Sequence, residues 1–395
     1  MSRTTKSQNS RKAPVRRAGR NSTTQASSCA ESPAPRSAPA ELIKLGVDTH
    51  AGHYTFARMV DNQNAQPAQK LSPEQFLEFL ARQKTLARRV VMVYEAGPYG
   101  FSLYRQVTAM GVECVVCAPE RLSRGRKRIN DKIDAKELLS RLDRHLAGNT
   151  TALRMVRPPT IEQEMSRREA RERNTYRKDR QRWIARGRSL LHTLGIARPG
   201  RWWEMDRFLE LKKILLERYG QTVADGATAE LDRYLEFVHL AAGKLEALTV
   251  VLQKSAEEKK LPRIKGIGPL SSELLDREIG DWNRFANRRQ VASYTGLCPG
   301  EESSGDTRML LGIDKHGNPR VRAVLVELAW LLPRYQPDYK PLARWKWVFD
   351  PRKKASAAMK KKAAVALARR LAVDLWRLRT GRVRPEDVGL CLTAA

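Results

Sequence analysis

Two apolar runs, LIKLGV at 42–47 and VVMVY at 90–94, each end directly on a carboxylate, Asp48 and Glu95. Between them, HYTFARMVD reads as a strand that follows the first closely. SPEQFLEFLARQ reads as a helix, with a capping Ser72, an early Glu and helical spacing of Phe76, Phe79 and Leu80. Beyond Glu95, PYGFSLYRQVTAMG reads as a helix, VECVVCAP as another buried strand, and DKIDAKELLSRLDRHLAG as a helix stopping at Gly148. Two adjacent strands followed by alternating helix and strand restrict this segment to a mixed α/β sheet. In an open sheet of that kind ligands bind where strand ends meet. Asp48 and Glu95 are therefore expected at the mouth of the crevice.

Two further acids, Asp131 and Asp134 in NDKIDAKELL, lie three residues apart and share one side of the helix start. Acidic residues suit a first helical turn, and Asp131 or Asn130 could equally serve as its cap. If the helix packs beside the strand ends, all four carboxylates converge, and their repulsion raises one another's pKa values. A divalent cation relieves that repulsion. Mg²⁺ (or Mn²⁺), which takes oxygen ligands and retains waters, fits such a set. Two such ions can clamp the attacking and leaving oxygens of a phosphodiester. The run directly before the helix, RLSRGRKRI, supplies Arg124, Arg126, Lys127 and Arg128 to hold nucleic acid over the acids.

Charge identifies the class of partner. The 395 residues carry 74 Lys and Arg against 43 Asp and Glu, a formal net charge of +31, which draws polyanions to the chain. Nucleic acid leads, because neutralising many phosphates releases counterions and drives binding. A membrane is excluded as partner, since no apolar run approaches the roughly 18 residues a spanning helix requires. The start, MSRTTKSQNSRKAPVRRAGRNS, lacks the apolar core of a secretory signal. Five scattered cysteines argue for a reducing compartment rather than a disulfide framework. A cytoplasmic protein is expected. Cys114 and Cys117 form one C-x-x-C inside an apolar run; without a second pair they read as small core residues rather than a zinc site.

Four segments follow from the texture of the chain. Residues 1–40 read as a disordered basic tail, and 41–155 as the α/β catalytic domain. Residues 156–260 form a helical region in which TIEQEM…LLHTL and LDRYLEF…AEEKK suggest an antiparallel or intermolecular coiled coil. Residues 261–395 make a mainly helical C-terminal domain that includes KKASAAMKKKAAVALARRLAVDLWRLR, an Ala-rich amphipathic helix with a basic face. Within it, LPRIKGIGPLSSELLDREIGD reads as a helix-hairpin-helix. Gly266 and Gly268 permit its tight turn, beside Lys265, and the next helix start offers N–H groups to a phosphate. YTGLCPGEESSGDTRMLLGIDKHGNPRVR reads as loop, with turn chemistry at Ser303-Ser304-Gly305 and His316-Gly317-Asn318. Composition alone does not make a nucleophile of either serine.

The order D…E…D-x-x-D on this strand pattern resembles the RuvC-like branch of the RNase H fold. The region from about 42 to 380 resembles the DEDD transposases of insertion sequences, the bridge-RNA-guided recombinases. The matching pieces are GVDTH around Asp48, YEAGPYG around Glu95, NDKIDAKELL, KGIGPLSSELL and YTGLCP…SSGDTR…GIDKHGNPRVR. The resemblance implies an α/β plus all-α architecture: a RuvC-like domain, a coiled-coil arm and a C-terminal transposase domain. It implies Asp48, Glu95, Asp131 and Asp134 as metal ligands, Ser304 as nucleophile with Ser303 as the alternative, and Arg308, Lys315 and Arg320 as phosphate contacts. Donor and target DNA, a noncoding guide RNA and a homo-oligomer, dimer or tetramer, are the implied partners. This chain departs from the family at two points: His50 stands near the first aspartate where a lysine usually follows it, and position 314 is Asp where Thr is usual. The competing readings are a metal-dependent junction nuclease without a covalent serine step, and a non-catalytic nucleic-acid-binding protein.

Overall fold

The computed structural model of the chain describes residues 38–119, 131–259, 263–304 and 307–393. Nearly all of the expected basic tail, and the run carrying Arg124, Arg126, Lys127 and Arg128, lie outside the described residues. The chain divides into two units, Met1–Met155 and Val156–Ala395.

The first unit is built on β1 (Ala40–Thr49), β2 (Tyr54–Val60), β3 (Gln69–Leu71), α1 (Pro73–Leu86), β4 (Ala87–Glu95), α2 (Ser102–Ala109), β5 (Glu113–Cys117) and α3 (Asp131–Leu146). Its five strands run in the order β3-β2-β1-β4-β5. β2 pairs antiparallel with β1, while β4 runs parallel to both β1 and β5. The unbroken apolar run of β4, buried from Val90 to Tyr94, marks a strand covered on both faces. Ser72 caps α1 as expected, but the reciprocal partner of its capping box is Gln75. Cys117 is fully buried, its Sγ donating to the Tyr94 carbonyl at 3.6 Å. Cys117 is thus the core residue expected, whereas Cys114 is partly buried, its thiol pushed up to about 12 by that burial.

Strand alternation determines what α3 covers. Gly46 and Asp48 share one face of β1, and on that face α3 lies directly against the strand. A Cβ at Gly46 would fall 2.3 Å from the Ala135 carbonyl oxygen and 2.3 Å from the Leu139 nitrogen. Only glycine admits that approach, and any side chain there would lever α3 off the sheet. Ala57 opposite Gly46 joins Ala135 and Leu139 in a small core, and Val93 on β4 joins Leu138 and Leu142. Buried Lys44, also on this face, binds Asp143 near the other end of α3 at 2.5 Å.

The second unit opens with α4 (Ile161–Thr193) and α5 (Met205–Glu258). They form an antiparallel arm within the chain: Arg173 Nε donates to Thr249 Oγ1 at 2.8 Å, while Trp183 stacks on Phe237 at 4.4 Å. This selects the antiparallel arrangement between the two expected helices. The second helix starts much earlier than LDRYLEF suggested, at Met205, and breaks at Gly220, whose left-handed φ of 75° joins two helical pieces.

After the arm come α6 (Pro269–Ile279), α7 (Arg288–Thr295), β6 (Pro299–Ser304), β7 (Thr307–Ile313), α8 (Pro319–Tyr335), α9 (Lys346–Phe349), α10 (Ala357–Arg379) and α11 (Pro385–Val388). Leu275, Val291, Leu325, Leu328, Leu367 and Leu371 form the centre of their shared core. The alanines of the basic helix serve packing: Ala363, Ala364, Ala368 and Ala372 are all buried. The segment expected as loop around Ser304 is instead an antiparallel hairpin, β6 with β7, pairing Ser303 with Arg308 and Ser304 with Thr307. Ser303 and Ser304, expected in a turn, are therefore strand residues, and Gly305 lies outside the described residues.

Candidate functional site

Parallel pairing of β1 and β4 sets Val47 beside Tyr94, which brings the strand ends carrying Asp48 and Glu95 side by side. The α3 helix starts at Asp131, with Asp134 also in its first turn. Because the helix is seated on Gly46, that first turn stands over the end of β1. Asp48 and Asp131 come to the same imidazole: His50 Nε2 lies 3.2 Å from Asp48 Oδ2 and 3.6 Å from Asp131 Oδ2. Glu95 receives Arg141 of α3, Nη1 to Oε1 at 3.9 Å, and Arg141 is anchored by donating to the Ala152 carbonyl. All four acids are partly exposed, open to solvent at the strand ends.

A second histidine completes the cluster. β1 and β2 join through Ala51 and Gly52, with the His50 N–H donating to the His53 carbonyl at 3.0 Å. This tight closure stacks the two imidazoles, with ring centroids 4.8 Å apart and planes inclined by 22°. His53 Nε2 stands 3.7 Å from Asp131 Oδ2. Among the described residues, His50, His53 and Asp131 have ligand atoms all within 4.8 Å of one another, spacing that suits one cation. The Nε2 atoms of both histidines are shielded from solvent and make no hydrogen bond. Two orphaned nitrogens aimed at carboxylates, with further acids at the adjoining strand end, make a donor set that fits a divalent cation. Sequence reasoning noted His50 only as a departure and passed over His53, whose signal was its place across the hairpin.

The remaining residues singled out from sequence all belong to the second unit. Ser304 is the last residue of β6, and Gly305 and Asp306 lie outside the described residues. Arg308 sits in β7. Lys315 is exposed and holds a left-handed φ of 61°. Arg320 is exposed, with Nε 3.8 Å from Glu278 Oε1. Gly266 adopts a positive φ of 83°, and a Cβ there would meet Tyr335 at 2.6 Å. Gly268 caps α6 and faces open space, while the N–H of Lys265 donates to Cys391.

Much of GIDKHGNPR proves architectural. A Cβ at Gly317 would fall 2.2 Å from the Gly296 nitrogen. Asn318 caps α8 by accepting from the N–H groups of Arg320 and Val321, and its amide donates to Glu278 at 2.9 Å. Glu278, almost fully buried, also takes two bonds from Arg171 of the arm, at 2.9 and 3.0 Å. Burial pushes its pKa upward, but the bonds from Arg171 and Asn318 outweigh burial and hold it below the usual carboxylate range. Glu278→Ala is expected to destabilise the chain by about 1.5–3 kcal/mol, the loss typical of hydrogen bonds to a charged group. Since the folded pKa is the lower one, this contribution is full above the unfolded value near 4.5 and vanishes as the pH falls further. Denaturant titrations of the wild type and the variant should therefore converge at low pH. Beside Glu278, a cleft between α4, α6 and α8 is lined by Arg320 together with Arg173, Arg177 and Lys178, three cations that sequence patterning did not single out, and by Glu278 and Glu327.

The chain is similar in sequence to known proteins. The model of the Transposase IS116/IS110/IS902 family matches residues 258–343. "Putative transposase y4rJ" of Sinorhizobium fredii is 34% identical over 310 residues, 73% of this chain and 76% of that protein. "Transposase for insertion sequence element IS1111A" of Coxiella burnetii is 28% identical over 291 residues, 70% of this chain and 74% of that protein.

Proposed function

The chain belongs to the IS116/IS110/IS902 family of insertion-sequence transposases, and from that membership we propose that it cuts and rejoins DNA with a divalent-metal centre and the hydroxyl of Ser304. The observation that carries this reading is the meeting of Asp48 and Asp131 at one imidazole, at the joint end of two parallel strands. The strand order β3-β2-β1-β4-β5, antiparallel in its first half and parallel in its second, supports a RuvC-like assignment for the first unit.

Asp48, Glu95, Asp131 and Asp134 would hold Mg²⁺ (or Mn²⁺), which when bound supplies polarisation of the scissile phosphate and stabilisation of charge on the leaving oxygen. Arg141 brings a positive charge to within 3.9 Å of the Glu95 carboxylate and would help to position it. In the chemical step the Ser304 oxygen forms a bond to phosphorus as the bond to the sugar oxygen breaks. The serine proton ends on the departing sugar hydroxyl. One phosphoester replaces another, so the energy needed for rejoining is retained without ATP. Ser304 belongs to the second unit and the acids to the first, so cutting would require the two units to cooperate, within one chain or between copies.

Arg308, Lys315, Arg320 and the α6 start after Gly268, with Lys265 and Gly266 beside it in a helix-hairpin-helix, would contact phosphates. The cleft formed by Arg173, Arg177 and Lys178 extends that surface. The charge of +31 suits a protein that holds a guide RNA together with donor and target DNA in the bacterial cytoplasm. Among the described residues no helix is long and apolar enough to cross a membrane. The test is to incubate the full chain with its element DNA, target DNA and Mg²⁺, with and without the noncoding RNA transcribed beside the element. Joined donor–target strands are expected only with the RNA. Equal joining without it removes the guide, and metal-dependent cutting without any joining favours the junction nuclease.

A further inference from the structure

We infer that His50 and His53 are nitrogen ligands of the metal centre, completing a mixed site with Asp48 and Asp131 that favours first-row transition cations over Mg²⁺, with Mn²⁺ the weakest-bound of them and the spectroscopic probe of the site. This rests on the reading of the strand-end acids as a metal site.

Four observations converge on it. First, the spacing suits ligands of a single ion. Donor atoms bound to one ion at about 2.1 Å lie roughly 3–4 Å from each other. The separations here are 3.2 Å from His50 Nε2 to Asp48, 3.6 Å from His50 Nε2 to Asp131, and 3.7 Å from His53 Nε2 to Asp131. Second, both Nε2 atoms are shut off from solvent yet make no hydrogen bond, even though a carboxylate oxygen stands close to each. An imidazole that merely steadied an aspartate would donate to it with good geometry. Third, the histidines are preorganised. The two-residue hairpin closure and the ring stacking hold both nitrogens on one side, toward Asp131. Fourth, period-two alternation places Asp48 and Gly46 on the face of β1 on which α3 lies, and His50 directly follows the end of that strand at Thr49.

Chemistry then decides the ion. Mg²⁺ takes oxygen donors almost exclusively and gives up its waters reluctantly. Imidazole suits transition metals, and affinity for a mixed nitrogen and oxygen site rises along the first row from Mn²⁺. Two imidazoles on a site with two aspartates therefore shift preference away from Mg²⁺. The side chains of His50, His53, Asp48 and Asp131 are each partly exposed, so a cation can enter from solvent.

The test uses the full-length protein loaded with Mn²⁺ and pulsed electron paramagnetic resonance, which detects directly bound nitrogen through its ¹⁴N modulation. The wild type should show ¹⁴N coupling from imidazole. The coupling should weaken in His50→Ala or His53→Ala and disappear in the double variant. Competition with Mg²⁺ should show the preference for Mn²⁺ falling by about 10–100-fold in the double variant, the range seen when groups supporting a metal are removed. Circular dichroism and a thermal melt of each variant establish that the fold is kept. His53→Asn provides a second substitution that preserves polarity at the hairpin. Bound Mn²⁺ with no ¹⁴N coupling in the wild type overturns the inference and leaves an all-oxygen metal site standing. Failure of the wild type to bind Mn²⁺ at a site sensitive to Asp48→Ala overturns both.

Discussion

Asp48→Ala is expected to lower metal-dependent strand cleavage by about 10³-fold or more, equivalent to roughly 4 kcal/mol of lost transition-state stabilisation. DNA affinity should be unchanged or slightly higher, because the substitution removes a negative charge from a surface that attracts phosphate. The argument is geometric. Asp48 lies next to the end of β1, one residue past the Val47–Tyr94 pair with β4, and α3 brings Asp131 to the imidazole that Asp48 also faces. Removing it takes away the carboxylate nearest to that imidazole while leaving Gly46 and the α3 contact intact. A filter-binding titration alongside a gel assay of nicking separates the two effects. Loss of cleavage together with loss of binding would place Asp48 in folding or DNA contact instead.

Ser304→Ala is expected to have the larger effect on joining, at least about 10⁴-fold, as is usual when a nucleophile is removed. Binding of DNA and of divalent cations should persist, since the cation ligands belong to the other unit. The residual activity is informative. If water can reach the phosphate in place of the serine oxygen, slow hydrolytic nicking will remain without joined product. Ser303→Ala serves as the control for the neighbouring hydroxyl and should retain joining. Full joining by Ser304→Ala together with its loss in Ser303→Ala would move the nucleophile by one residue.

Much of the first unit was legible because its residues have one structural use. The runs ending at Asp48 and Glu95 are buried strands, and buried strands have to be apolar. The carboxylates were conspicuous because each interrupts such a run at its end. The β6–β7 hairpin was not legible, since Met309 and Leu311 are both exposed and give no buried alternation to read. The early part of α5 was hidden by Gly220, which breaks the pattern without ending the element. His53 escaped notice because a lone histidine carries little signal. Its meaning comes from the hairpin that sets it across from His50. Glu278 likewise reads as an ordinary surface acid on α6 until Arg171 and Asn318, both distant in sequence, close around it.

The central claim is that Ser304 takes hold of DNA while the strand-end acids bind the metal. Mass spectrometry of the full chain, after reaction with element DNA, its adjoining RNA and Mg²⁺ and then nuclease trimming, tests this most directly. A nucleotide joined through phosphate to the peptide containing Ser304 is expected, absent in Ser304→Ala and absent in Asp48→Ala. Cut and rejoined DNA with no adduct on any serine, or an adduct that still forms in Asp48→Ala, would contradict it.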